Sequence, residues 1–266
     1  VMIKEARDSD AYEIRSLKKA FRLIEILSNT DEMSITDLSA AVDLNKGSVF
    51  RTVSTLKSLG YIEQNQANDK YSLGIKLFEI GSRAVSRINE VRESHVILEH
   101  LFEKTQETIH LARLNEGSVV YLDKIDSKHV LRIFSRIGNR APCYCTGLGK
   151  VLLAWLPDDE LNGILKEVKM VQYTENTISK LPTLKQELKK IREQGFSIDN
   201  QEHERGILCT AAPVRNQAGR VAAAISITWP IIRNDEGRME EYQRLIMEAA
   251  EQISRRLGYE NTGART

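Results

Sequence analysis

The chain has 266 residues, 38 Lys and Arg against 37 Asp and Glu, a formal net charge of +1 at pH 7 and 41% hydrophobic residues. That length admits one large domain or two modest ones, and near-neutrality means that no global basic excess advertises nucleic acid. Three cysteines make no secreted disulfide framework and no apolar run approaches the roughly 20 residues of a membrane span, so a cytoplasmic protein without a membrane partner is expected.

The first periodic segment carries Leu17, Ala20, Phe21, Ile24 and Leu27, an apolar helical stripe. Ser34 and Thr36 offer N-caps for a short helix through Val42, with Asp37 at capping-box spacing from Ser34. Asp43-Leu44-Asn45 is a connection short enough for a helix-turn-helix corner. The helix predicted over Asn45 to Leu59 stops at Gly60, and Val49, Val53 and Leu56 fall on its inward side. Ser48, Arg51, Thr52 and Thr55 gather on another face with Lys46 at the entrance, and no acidic residue interrupts 44–62. Short hydroxyls and an Arg on one face suit phosphates and base edges in a major groove, which makes double-stranded DNA the expected partner. Tyr61 to Gln64 and Lys70 to Leu73 flank the turn-rich Asn65 to Asp69, a hairpin that would serve as the wing. Residues 1–75 hold ten Lys and Arg against eleven Asp and Glu, so this reading rests on local charge placement. An ordinary small helical subdomain with a solvated face would show the same periodicity.

Leu77, Phe78, Ile80, Gly81, Ala84, Val85 and Ile88 give an amphipathic helix from about 75 to 89, with little partner surface in so small an N-terminal domain. It either packs against its own chain or joins two copies, as a reader of a two-fold operator needs. The expected division is a DNA-binding domain over 1–74, a linker helix over 75–92 and an effector domain over 93–260. From Glu90 the pattern becomes α+β. A helix carries Ile97, Leu98, Leu101 and Phe102; strands are expected over 109–114, 119–125, Val130 to Phe134, 196–200, 208–215 and 221–229. Helices are expected near 147–156, 158–167, 183–194 and 237–257. This mixture predicts an antiparallel sheet flanked by helices.

Two segments of that second region look chemical. Pro142 to Ala154 leads a Gly-rich backbone into an apolar helix, whose free N–H groups and positive dipole end can hold a carboxylate or phosphate. It is no nucleotide P-loop, because Tyr144 stands where the first Gly belongs and Val151 follows Lys150. A tight loop packed on the sheet is the plainer reading. The second segment, Gly195 to Pro213, holds Asp199, Glu202, His203 and Cys209, residue types from which a nucleophile and base could be built. A redox or metal sensor using Cys143, Cys145 and Cys209 is another reading, although Cys-x-Cys spacing suits tetrahedral zinc poorly.

Gly195, Asp199, Glu202 and Cys209 recur at the spacing of a signature of the IclR family of transcriptional regulators, and the chain resembles that family from the Leu17 helix to Arg256-Leu257-Gly258-Tyr259. Thr210 departs from the aliphatic residue usual after the Cys. The resemblance implies a winged helix-turn-helix, a linker helix and a GAF-like effector domain, assembled as a homodimer or homotetramer, with no catalytic residue, cofactor or metal. It also implies that Gly147 and Leu148 receive a ligand carboxylate on their backbone, that Asp199 and Cys209 form one wall, and that Ser226 and Thr228 supply hydroxyls. An acidic Asp199 in that wall favours a polyhydroxylated acid over a bare dicarboxylate. Lys70 to Leu73, Lys76 to Glu79, Glu107 to Leu111, Lys124 to Ser127 and Gly149 to Trp155 resemble the sugar-acid-responsive members. That likeness implies a repressor of pectin or hexuronate catabolism genes with 2-keto-3-deoxygluconate as effector, another small acid such as an aldonate being the alternative.

Overall fold

The computed structural model describes residues 14–85, 87–130, 133 and 135–260. The chain divides into two compact units, one ending at Val85 and one beginning at residue 86.

In the first unit, α1 (Arg15–Leu27), α2 (Ile35–Val42) and α3 (Lys46–Ser58) precede the hairpin of β1 (Ile62–Gln64) and β2 (Tyr71–Leu73), and α4 (Ile75–Val85) follows. Ser34 rather than Thr36 caps α2: its Oγ accepts from the Asp37 N–H at 3.2 Å and donates to the Asp37 carboxylate at 2.7 Å. Asp43 takes the left-handed conformation that ends α2, and the Asn45 side chain caps α3 by accepting from the Ser48 N–H at 2.8 Å. Leu23 and Leu27 of α1, Leu38 and Val42 of α2, and Val49, Val53 and Leu56 of α3 close one core with Ile62 and Tyr71. The stripe expected along α1 is therefore shifted. Leu17 and Phe21 are more than half exposed, because the row through Ala20, Leu23, Ile24 and Leu27 is the one that meets the other helices.

The linker helix expected over 75–92 is shorter: α4 ends at Val85, buries none of its residues, and the next helix starts at Asn89. Ile88 already packs on the core of the second unit.

The second unit is a six-stranded antiparallel sheet in the order β5-β4-β3-β8-β7-β6. Its strands are β3 (Thr108–Asn115), β4 (Ser118–Ile125), β5 (Arg140–Pro142), β6 (Ser197–Asn200), β7 (Ile207–Arg215) and β8 (Val221–Pro230). The strand predicted over Val130 to Phe134 falls mostly on residues outside the described ones; Val130 and Ile133 belong to no strand. The sequence reading had no strand at β5, which is three residues long and pairs with β4.

Alternation sorts each strand between two cores. Ile225 and Ile227 of β8 join the face covered by α5 (Asn89–Thr105) and α9 (Arg238–Arg256). Ala112 of β3, Ala211 of β7 and Ala224 of β8 join the other, covered by α6 (Gly147–Ala154), α7 (Asp158–Glu167) and α8 (Leu181–Gln194). Small residues on the second face let α6 lie close. Among the described residues, no helix is long and apolar enough to cross a membrane.

Candidate functional site

On α3, Lys46, Arg51 and Thr55 are exposed and Ser48 and Thr52 half-buried. The hydroxyls of Thr52 and Thr55 donate back to the carbonyls of Ser48 and Arg51 at 3.0 and 2.9 Å, so both remain free only to accept. Arg51 points away from the core row of Val49, Val53 and Leu56. The hairpin is held beside this helix by Lys57, whose Nζ donates to Gln64 Oε1 at 2.7 Å. Its turn is pinned from below, with Asn65 and Asn68 each donating to the Glu32 carboxylate at 2.8 Å. The helix thus presents Lys46, Arg51 and a set of short polar groups on a rigid, capped element.

In the second unit, sheet register assembles the other site. Asp199, Cys209, Thr228 and Thr108 are successive partners across β6, β7, β8 and β3. Two residues along, Ser197, Ala211, Ser226, His110 and Lys124 form the neighbouring row. Positions two apart face the same way, so Ser226 and Thr228 stand with Cys209, Asp199 and His110 on the α6 side of the sheet. There they line a cavity of about 130 Å³ together with Tyr121, Ser135, Thr146, Gly147, Leu148 and His203. All six effector residues expected from the sequence lie on its wall.

The start of α6 closes one end. Thr146 caps it, its Oγ1 accepting from the Gly149 N–H at 3.2 Å, which leaves the earlier amides of the turn as donors. A methyl group on Gly147 would stand 3.0 Å from Cys209 Sγ, so glycine lets this helix start approach the sheet without displacing that side chain. Gly149 is tighter still: a methyl there would fall 2.2 Å from the carbonyl oxygen of Cys143. Ser197 Oγ donates to the Gly147 carbonyl at 2.7 Å, tying β6 to the same turn.

Electrostatics sharpen the site. Lys150, fully buried one turn along α6, donates to the Ile198 carbonyl at 2.5 Å and pairs with the Glu202 carboxylate. That pairing occupies the Lys150 ammonium. Asp199 Oδ1 accepts from the Glu202 N–H at 2.7 Å. Burial pushes the Asp199 carboxyl up to about 7, with backbone N–H bonds opposing and the Glu202 charge adding to the rise. Asp199 is thus able to hold a proton near neutrality and to donate as well as accept. Burial drives His110 down to about 3, so its ring is neutral, with Nε2 2.8 Å from Ser135 Oγ and Nδ1 3.4 Å from Ser226 Oγ.

The same surroundings decide against nucleophilic chemistry. Burial pushes the Cys209 thiol up to about 12, and the neighbouring Asp199 raises it further, so the thiolate that attacks substrates is absent at neutral pH. Cys143 and Cys145 are pushed up to about 11 and 12, again by burial first. Among the described residues, no group of three or more His, Cys, Asp and Glu is placed to hold a metal ion.

Sequence reasoning missed His110, Tyr121, Ser135 and Thr146. His110 left one signal, a single imidazole among the apolar Ile109, Leu111 and Ala112. Thr146 left another, a hydroxyl three residues before Gly149 at the head of a helix.

Comparison with known proteins settles the kind of molecule. Residues 16–66 match the IclR helix-turn-helix domain, and residues 82–255 match the bacterial transcriptional regulator IclR C-terminal domain. The chain belongs to the IclR family. It is 42% identical over 252 residues to the HTH-type transcriptional regulator KdgR of Escherichia coli, covering 95% of this chain and 96% of that protein. It is 36% identical to the E. coli regulator XynR, covering 92% and 98% of the two. Among solved structures, the Thermotoga maritima IclR superposes with a TM-score of 0.78 at 33% identity, over 93% of this chain and all of that one. The C-terminal domain of E. coli KdgR superposes at 0.60 with 41% identity, over 65% of this chain and all of that domain. This is a DNA-binding transcriptional regulator of the IclR family with KdgR-like sequence, and these families and relatives are regulators, not enzymes.

Proposed function

We propose that the chain is a repressor of sugar-acid catabolism genes, released from its operator when a hydroxylated monocarboxylate such as 2-keto-3-deoxygluconate enters the sheet cavity. The observation that carries this reading is the make-up of that cavity. Backbone donors at the start of α6 face the hydroxyls of Ser226 and Thr228 and the carboxyl of Asp199. Backbone N–H groups at a helix start favour a carboxylate, while Asp199 and the hydroxyls give and accept hydrogen bonds to alcohol groups. A second fixed carboxylate on the ligand would meet Asp199. The likeness to KdgR over nearly the whole chain supports the sugar-acid assignment.

Lys46, Ser48, Arg51, Thr52 and Thr55 make the operator contacts in this reading. Exposed Leu17 and Phe21 on α1 and Ile75 and Phe78 on α4 are the surfaces that a homodimer, or a pair of dimers, would cover. Effector and DNA are then linked through two arrangements of the assembly. A coupling of about 1–3 kcal/mol would change operator affinity some 5- to 150-fold.

The test is binding of the intact protein to a pectin-pathway promoter at stated salt, with and without 2-keto-3-deoxygluconate. Specific binding that the sugar acid weakens is the expected result. Specific binding that ignores it discards this effector and directs the measurement to aldonates. Specific binding that the acid strengthens overturns release by the effector, since the ligand would then hold the protein on its operator.

A further inference from the structure

The outward side of α3 carries a residue that neither the fold nor a phosphate contact explains. Phe50 is 54% exposed. Its neighbours three and four positions away on the helix are Lys46, Gly47, Ser54 and the buried Val53, so no exposed apolar patch extends from it along the helix. It stands at the edge of the outward face nearer the hairpin, on the side of Lys57. A lone ring among cations and small polar groups, with no acid between 44 and 62, is poorly matched to an apolar protein surface. It is well matched to a single methyl group inside a polyanion.

Gly47 is the second unexplained residue. Glycine weakens a helix relative to alanine, and here nothing within the chain requires it. A Cβ at Gly47 would meet only Asn45 Oδ1, at an ordinary 3.7 Å, and its φ is not positive. The position is outward-facing, in the first turn of the helix, one turn before Phe50. Missing bulk there matters only to something outside the chain that comes close.

We propose that Phe50 reads sequence, its ring packing on the C5-methyl group of a thymine in the major groove, and that Gly47 leaves the room for α3 to approach the bases that closely. Apolar contact with that methyl group is one of the few ways a side chain without hydrogen bonds distinguishes thymine from the other bases. The proposal rests on α3 entering the operator's major groove, and its test separates the two ideas.

The intact protein would first select its preferred duplex from a randomised library at stated salt. Each thymine of that duplex would then be replaced by uracil, which removes only the methyl group. Wild-type protein should lose about fourfold in affinity at one or more positions, the worth of one buried methylene-sized group. Phe50→Ala should bind the thymine and uracil duplexes equally, and Phe50→Leu should keep part of the difference. Gly47→Ala should bind every duplex more weakly while its unfolding midpoint stays level or rises. No methyl-sensitive thymine, or unchanged discrimination in Phe50→Ala, overturns the role of Phe50. Wild-type affinity in Gly47→Ala overturns that of Gly47. Failure of the wild type to select any sequence would remove the groove reading itself, and this inference with it.

Discussion

The two functional surfaces of this chain are built in opposite ways. The proposed DNA-reading surface is local: one capped helix of 13 residues, Lys46–Ser58, displays its polar side chains to solvent. The proposed effector cavity is assembled from β3, β4, β5, α6, β6, β7 and β8, and its wall runs from His110 to Thr228. The fold of the first tolerates change at any one exposed side chain, because none of them holds the core together. The second depends on close approach of backbones, so a single methyl group in the wrong place disturbs every residue around it.

The most severe test of that contrast is Gly149→Ala. The added Cβ would fall 2.2 Å from a backbone oxygen that no rotamer change can move. Overpacking of this kind costs about 1–3 kcal/mol and more where the neighbour is rigid, a large part of a domain's stability. Denaturant unfolding should show a lowered midpoint. An unchanged midpoint would mean that the 143–149 turn is soft and the cavity less fixed than its geometry suggests.

On the local surface, Arg51→Ala should leave unfolding unchanged and weaken specific operator binding by about 1–3 kcal/mol, some 5- to 150-fold. Nonspecific DNA, compared at the same salt, should lose less. Equal losses on both duplexes would show that Arg51 grips phosphate only.

This difference in construction also explains what could be read from the sequence. Ser34, Asn45, Val49, Val53 and Leu56 announce the helix-turn-helix through capping and a 3.6-residue period, signals confined to a few turns. The six effector residues came from a resemblance to a family, and their convergence on one wall follows from strand register, which periodicity alone does not set. His110 and Tyr121 escaped notice for that reason. So did the pairing of Lys150 with Glu202, fifty-two positions apart, and the exposure of Leu17 and Phe21, which depends on where neighbouring helices lie. The raised carboxyl of Asp199 is invisible in sequence because burial causes it.

That carboxyl gives a prediction of intermediate size. Asp199 moves from 3.8 to about 7 on folding, so the folded chain holds a proton between about pH 4 and 7 that the unfolded chain has released. Its contribution to stability therefore declines as pH rises through that window and is level above it. An anion entering the cavity favours the protonated carboxyl further. Affinity for 2-keto-3-deoxygluconate should be level below pH 7 and fall by up to about tenfold per pH unit just above it. Asp199→Asn should flatten both profiles. A pH dependence that survives in the variant would move the proton to another wall group, His203 being the nearest in sequence.

Ser226→Ala should produce the smallest change, and it isolates the cavity from the rest of the molecule. Ser226 is fully buried, and its Oγ lies 3.4 Å from His110 Nδ1, a long contact, so removing the hydroxyl costs the fold little. A hydrogen bond to the effector is worth about 0.5–1.5 kcal/mol, so the ligand midpoint should rise roughly 2- to 12-fold. DNA affinity without ligand should be that of the wild type, because Ser226 lies in the second unit and the proposed operator contacts in the first. A raised midpoint with unaltered DNA affinity would place the hydroxyl on the effector. An unaltered midpoint would leave Ser226 as a spacer on β8 and give its share of the recognition to Thr228 and the backbone of Gly147 and Leu148.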